Sequence, residues 1–458
     1  MQKAFLPAFI AVGLLSICRL EAMEPCRIEV VEKGSGWPVP MVELETTSHV
    51  TLITDNAGVV AFDLPEFMNH DTWLIVRSHG YEIPKDGLGN RGFRFKPVPG
   101  GTKRIEITRT NVAKRLGRLT GSGIFGESQK LGEHLDWQES GVTGQDTVQL
   151  TPYQGKLFWG WGDTNISSYA LGLFKSCGAI SESQPLKSFE PPLALNLEYI
   201  RNQKGDVCNL VDAENSGPIW VGGCVSLLDG KGGSHLVGAY SKIKGTLDRV
   251  EYGLVEWNDA AAKWKPLRAV WKKGESGVCP RMPDNHAAFW TDPSGRKWVY
   301  FGEALPTMRC PATYEAWADP STWENVENPN SLTSAADGKA IQIASGSMAW
   351  NFQRKRWLVV FQRKGGASGF GEIWYAEGTS PSGPWGKAVK IVSHNNYTFY
   401  NPMIDADLVP NEAKFILFEG TYTSAFANHA QPTPRYDYNQ IMYRLDLDDP
   451  ALLPAQTE

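Results

Sequence analysis

The chain has 458 residues, enough for two or three domains, and its 42% hydrophobic content is that of an ordinary globular protein. A formal net charge of -5 leaves no concentrated basic footprint, which argues against nucleic acid as the partner. The 17 tryptophans suit either large β-sheet cores or sugar-stacking surfaces, and composition does not separate the two.

Residues 1–22 carry Lys3, an apolar stretch from Ala4 to Cys18 and a cleavage point after Ala22. The stretch is too short to cross a bilayer comfortably and no second one follows, so it reads as a secretory signal peptide rather than a membrane span. The expected location is secreted, periplasmic or at the cell surface. Lipid anchoring at Cys18 is disfavoured, because Ile17 before it is larger than the small residue a lipobox uses. Beyond the signal lie Cys26, Cys177, Cys208, Cys224, Cys279 and Cys310. An even count fits disulfides in an exported chain, but six cysteines allow 15 pairings and none has the CxxC spacing of a zinc site. Structural cysteines, bridged or buried, are the expectation.

Residues 23–113 alternate as the strands of a small β-sandwich. Val39-Pro40-Met41-Val42-Glu43-Leu44-Glu45 alternates, Thr51 to Gly58 ends a strand in the turn Asp55-Asn56-Ala57-Gly58, and Val59–Leu64 and Thr72–Arg77 supply further strands. This series, leading into His79-Gly80-Tyr81, resembles the transthyretin-like fold of carboxypeptidase regulatory domains, which implies an accessory module without catalysis. Residues 114–143 follow as linker and propeller entry; Lys103, Arg104, Arg109, Lys114, Arg115 and Arg118 read as a solvated basic stretch.

From 144 to 450 a short apolar strand is followed five times by an aromatic-rich one: Leu157–Asp163, His235–Lys242, Trp298–Glu303, Trp357–Arg363 and Phe415–Glu419. Imperfect repeats too small to bury a core alone read as the blades of a five-bladed β-propeller. Asp229-Gly230-Lys231-Gly232-Gly233, Asp292-Pro293-Ser294-Gly295 and Pro410-Asn411-Glu412 put turn chemistry between the first two strands of three repeats. The expected fold is all-β, a five-bladed propeller preceded by the sandwich.

In a propeller the start of a first strand and the end of a second share a face, so Asp146, Asp163, Glu303, Arg363 and Glu419 are expected to converge on one funnel. A carboxylate pair there suits glycoside hydrolysis, in which one carboxyl protonates the leaving oxygen while another attacks the anomeric carbon or activates water. Asp163 could instead cap the turn it makes with Thr164 and Asn165. Glu303 is a candidate general acid and Glu419 a candidate sugar ligand, unless they pair with Arg309, Arg363 or Arg435 and pin loops. His286, in Asp284-Asn285-His286, faces the axis as a metal ligand, base, substrate donor or packed core histidine. Asp405 and Asp407 share a face and could touch calcium, but the remaining oxygens are not evident, and no cofactor is assigned. No phosphate loop or nucleophile elbow is apparent.

Gly144-Gln145-Asp146 opening the first blade and Trp161-Gly162-Asp163-Thr164 closing its second strand resemble the five-bladed propeller family that includes endo-D-arabinanases. Ser380-Pro381-Ser382-Gly383-Pro384-Trp385 is similar to a blade turn shared among five-bladed glycosidases. The resemblance implies a glycoside hydrolase in which Asp146 and Asp163 carry acid and base or nucleophile roles, acting on a furanoside such as arabinan or another polysaccharide. The fused N-terminal unit and the last blade, from Phe418 to Gln440, depart from that family's pattern. Two rivals stand beside it: a non-catalytic carbohydrate-binding propeller holding sugar on Trp161, Tyr169, Tyr397, Tyr400 and Tyr422, and a protein-interaction propeller at the cell surface.

Overall fold

The computed structural model describes residues 23–168, 176–211, 218–245, 247–275, 277–366, 369–427 and 431–456. Residues 1–22, which carry the expected signal and Cys18, and Tyr169 lie outside the described residues. The protein is nearly all β: among the described residues, helix is confined to Gly126–Lys130, Tyr314–Ala318 and short 3-10 turns.

Residues 26–109 form two four-stranded sheets around one core. Val59–Phe62, Cys26–Glu32, Thr102–Arg109 and Tyr81–Glu82 make one; Thr51–Ile53, Glu43–Thr46, Thr72–Arg77 and Gly92–Phe95 make the other. Ile28, Val30, Leu44, Phe62, Leu74, Val76 and Ile107 fill the space between them. Thr72–Arg77 alternates buried and exposed positions, as a half-buried strand requires.

Among the described residues five further antiparallel sheets of four or five strands follow, with a two-stranded ladder of Val142–Gln145 and Thr164–Ile166 beside the first of them. Sheet I is Val148–Tyr153, Lys156–Trp161, Gly178–Glu182 and Glu198–Tyr199; sheet II is Ile219–Leu228, Ser234–Lys244, Asp248–Asn258 and Lys263–Lys272. Sheet III is His286–Thr291, Lys297–Gly302, Met308–Pro311 and Glu324–Asn325; sheet IV is Ser331–Thr333, Ala340–Asn351, Arg356–Arg363, Glu372–Gly378 and Val389–Ser393. Sheet V is Thr398–Ile404, Phe415–Thr423 and Asn439–Asp446, completed by Lys114–Arg118 from the other end of the chain.

Successive residues of a strand point to opposite faces, and that alternation joins the sheets in a cycle. Phe158 packs between sheets I and II with Leu236 and Trp264, whereas Trp159 packs between I and V with Leu417 and Met442. Val299 and Phe301 meet sheet II; Trp298 and Tyr300 meet Trp357 and Trp374 of sheet IV. Val360 and Tyr375 meet Phe418 and Tyr443 of sheet V. The turns read from Asp229 and Asp292 form as Asx turns: Asp229 Oδ1 accepts from the Lys231 and Gly233 amides, Asp292 Oδ1 from those of Ser294 and Arg296.

The solvated basic linker is corrected. Lys114–Arg118 is the edge strand of sheet V, and Arg115 and Arg118 are each 2% exposed. Their guanidinium groups donate to backbone carbonyls: Arg115 to Pro40 O and His79 O, Arg118 to Ser122 O. The turn Asp55-Asn56-Ala57-Gly58 is likewise buried. Asn56 accepts from the Arg118 amide and donates to Arg118 O and Leu193 O, tying the N-terminal unit to the ring. Cys26, Cys224, Cys279 and Cys310 are unbridged, and all but Cys279 of these are buried, as is Cys177.

Candidate functional site

The first strands of sheets I, II, III and V share a local distortion near the same end. Thr147 (φ 48°), Gly223 (φ 63°), Asn285 (φ 65°) and Asn401 (φ 49°) all adopt the left-handed conformation. For the β-branched Thr147 this costs roughly 1–3 kcal/mol. It is held there by Thr421 Oγ1, which accepts from its amide at 3.0 Å, and by Asn401 Nδ2, which donates to its hydroxyl at 2.8 Å. The residues just before these kinks, Asp146, Gly222, Asp284 and Tyr400, and their neighbours on the second strands form the mouth of the ring.

Asp146 and Asp163 lie together there: the Asp146 amide donates to Asp163 O at 3.2 Å. Asp146 Oδ2 accepts from the Tyr400 phenol at 2.6 Å, and the Tyr438 phenol nearby also favours the ionised form of this carboxyl. Asp146 keeps partial solvent access, yet burial pushes its carboxyl up to about 7, the two phenols opposing and the Asp163 charge adding to the shift. Asp163 Oδ1 accepts from Trp220 Nε1 of sheet II at 3.2 Å; burial raises this carboxyl too, and Trp220 opposes.

The matching place in sheet III holds a second pair. Asp284 Oδ1 accepts from the Asn285 amide at 2.7 Å, and burial raises its carboxyl to about 6, helped by the Glu303 charge and opposed by the Asn285 amide and Arg249. Glu303 follows Gly302, which bridges to Asn285. It is the most exposed of the four acids and lines a cleft of about 320 Å³ with Arg281, Thr307, Asn328 and Asn330. The protein packed around it raises its carboxyl, with Arg249 opposing. His286 opens the first strand of sheet III, and burial lowers its imidazole to about 4, so it is neutral at pH 7. Arg363 stands at a second-strand end of sheet IV but is engaged with Glu372 at 2.8 Å.

Three expected site residues lie elsewhere. Trp161 is 4% exposed and stacks on Trp159 and Tyr199 inside the core between sheets I and V. Tyr422 is 1% exposed, stacks on Tyr397 at 4.1 Å and bonds His79 Nδ1 and Thr433 Oγ1 through its hydroxyl. Glu419 is fully buried opposite Met403 and Met442. The Phe415–Thr423 strand runs four residues beyond it, because Gly420 does not end the strand but lies flat against the Phe399 ring, where a Cβ would sit 2.5 Å from Cε1. The Glu419 charge acts on Asp405 nearby, and neither carboxylate has a hydrogen-bond partner among the described residues. Also among the described residues, no group of three or more His, Cys, Asp or Glu could hold a metal, and no helix is long and apolar enough to cross a membrane.

Asp284, Arg249, Trp220 and Tyr438 were not singled out as site residues from sequence. Asp284-Asn285-His286 does repeat the placement of Asp146-Thr147-Val148 before a strand, and that parallel was legible. Nothing local marks the other three.

No family model and no curated protein matches the chain. Solved structures of similar outline include an exo-1,5-α-L-arabinanase from a bovine ruminal metagenomic library, 11% identical with a TM-score of 0.36, covering 67% of this chain and 95% of that one. An exo-β-1,3-galactanase from Phanerochaete chrysosporium is 10% identical, TM-score 0.38, over 66% of this chain and 61% of that one. An N-acetylgalactosamine deacetylase from F. plautii is also 10% identical, TM-score 0.38, over 67% and 91%. At such scores an outline shared by hydrolysis of glycosidic bonds and of amides does not transfer chemistry.

Proposed function

We propose that this chain is an exported carbohydrate-active hydrolase, a five-bladed propeller with a transthyretin-like unit in front, which cleaves glycosidic bonds at the mouth of the ring. The observation that carries the reading is the placement of Asp146/Asp163 and Asp284/Glu303 at equivalent positions of sheets I and III, all four carboxyls raised. Two acids held near neutrality can divide proton donation from proton acceptance at ordinary pH. Glu303, open to the cleft, is placed to protonate a leaving oxygen. Asp146, beside the Tyr400 and Tyr438 phenols, is placed to take a proton from water, with Asp163 raising its basicity through charge as Glu303 does for Asp284. Export rests on the pattern of residues 1–22, and furanoside polymers such as arabinan lead the substrate list on the Trp161–Thr164 resemblance.

The test is a panel of neutral and acidic polysaccharides incubated with wild type, Asp146→Asn and Glu303→Gln, with products read by mass. Hydrolysis by wild type and a loss of about 10²-fold or more in each folded variant is the expected result. Binding without cleavage by all three would replace the enzyme with a carbohydrate-binding propeller.

A further inference from the structure

The segment from Thr433 to Asn439, which leads into the third strand of sheet V, is gripped from both sides. On one side stands the N-terminal unit. The Tyr436 hydroxyl donates to Thr54 O at 3.0 Å, and the Tyr436 ring is 1% exposed beneath the Arg118 guanidinium, 4.8 Å from it. Arg118 also donates to Arg435 O, and Arg118 is itself clasped by Asn56. Arg435 pairs with Glu127 at 3.0 Å, and the other Glu127 oxygen accepts from the Ala61 amide at 3.1 Å.

On the other side stands Asp146. Tyr438 O accepts from the Gln145 amide at 2.8 Å, one residue before Asp146, and a Cβ at Gly144 would lie 2.4 Å from that oxygen. Asn439 Nδ2 donates to Thr143 O and to Asp437 O. Arg435 and Tyr438 both hold left-handed φ angles, 63° and 60°. Each such conformation in a bulky residue persists only where its surroundings over-determine it. Here the grip of the N-terminal unit on one end and of the Gly144–Gln145 backbone on the other supplies that constraint.

We propose that the segment 433–439 is a strap by which the N-terminal unit holds Tyr438 beside Asp146, through the bond of Tyr438 O to the Gln145 amide, making Tyr436, Arg118 and Glu127 positioning residues for the candidate base. The unit is then part of the support of the site rather than an appended module. The inference rests on the reading of Asp146 given above, but its physical core, the control of Asp146 protonation from the N-terminal unit, does not depend on hydrolysis. The groups facing Asp146 are Asp163 of its own sheet, Tyr400 of sheet V and Tyr438 of the strap. Of these, the strap alone connects to residues 54–61.

Two readouts test it on the full-length protein. Asp146 ionisation is followed by infrared difference titration against Asp146→Asn, and the acidic limb of kcat/KM is followed on whichever polysaccharide is cleaved. Because the Tyr438 phenol favours the ionised carboxyl, Tyr438→Phe moves the Asp146 titration upward. Tyr436→Phe, which keeps the ring under Arg118 and removes only the bond to Thr54 O, moves it in the same direction and lowers kcat/KM by roughly 10-fold with KM nearly unchanged. The double variant shifts no further than Tyr438→Phe alone, since both act through one phenol. An Asp146 titration that stays at its wild-type position in Tyr436→Phe, or shifts that simply add, overturns the strap. Glu127→Gln, which keeps an acceptor for the Ala61 amide while weakening the Arg435 pair, replaces Tyr436→Phe if that variant does not fold. If no polysaccharide is cleaved while the titration moves as stated, the hydrolase reading fails and the strap stands.

Discussion

Asp146 and Asp284 occupy the same place in sheets I and III. Each precedes a residue in the left-handed conformation, and each is faced by a glycine with no room for a side chain: a Cβ on Gly162 would lie 2.3 Å from Asp146 Oδ1, and one on Gly222 would lie 2.2 Å from Asp284 Oδ1. Both glycines sit at ordinary φ angles, so the demand at these positions is space, not backbone freedom.

Gly162→Ala and Gly222→Ala should therefore displace one carboxyl each. Turnover on a cleaved polysaccharide should fall by roughly 10²-fold in Gly162→Ala, since a misplacement of about 1 Å at the chemistry has that effect. Far-ultraviolet dichroism should stay at the wild-type spectrum. Full activity in Gly162→Ala would mean that Asp146 tolerates movement and is not the reacting group.

Asp405 and Glu419 are buried together without donors, and burial raises both carboxyls above their unfolded values, the charges of Glu419 and Asp407 adding to the shift at Asp405. A raised folded-state pKa gives stability that is complete below the unfolded value and is lost as pH rises through the folded one. The melting temperature should thus decline as pH rises from the ordinary Glu value of 4.5 through the folded Glu419 value of about 8, and Glu419→Gln, neutral and nearly isosteric, should flatten that decline. A wild-type-like slope across that window in Glu419→Gln would refute the assignment.

His79 and His394 pack edge to face at 5.5 Å between the N-terminal unit and sheet V, and burial holds both imidazoles below their usual value, His79 at about 4. The sign is opposite: stability is present above the unfolded value of 6.5 and lost as pH falls through the folded one. Melting temperatures between pH 6.5 and 4 should fall in wild type and fall less in His79→Gln. An unchanged acid slope in that variant would place the acid sensitivity elsewhere.

Asn56→Ala removes the clasp on Arg118 and leaves the buried Arg118 amide without its acceptor. A loss of about 1–3 kcal/mol is expected, read as a lower midpoint in chemical denaturation. A variant as stable as wild type would show that the two parts of the chain are held by other contacts.

Local physics made much of this protein legible from its residues alone. Asp229 and Asp292 form the turns their side chains dictate within four residues, the alternation in Thr72–Arg77 gives a half-buried strand, and Asp146 and Asp163 meet because one short hairpin joins them. Only tertiary structure decided how far along a continuous strand the mouth of the ring lies. Phe418-Glu419-Gly420 has the look of a strand end, but Gly420 makes room for the Phe399 ring and Glu419 stays in the core. Arg115, Arg118 and the Asp55–Gly58 turn look solvated until the N-terminal unit and sheet V close over them, and Tyr422 becomes a core residue only when His79 arrives from 343 positions away. Hydrogen bonds within a turn and the period of a strand are set by neighbours in sequence. Burial, and the raised carboxyls that follow from it, are set by segments far apart in the chain that pack together only in the folded molecule.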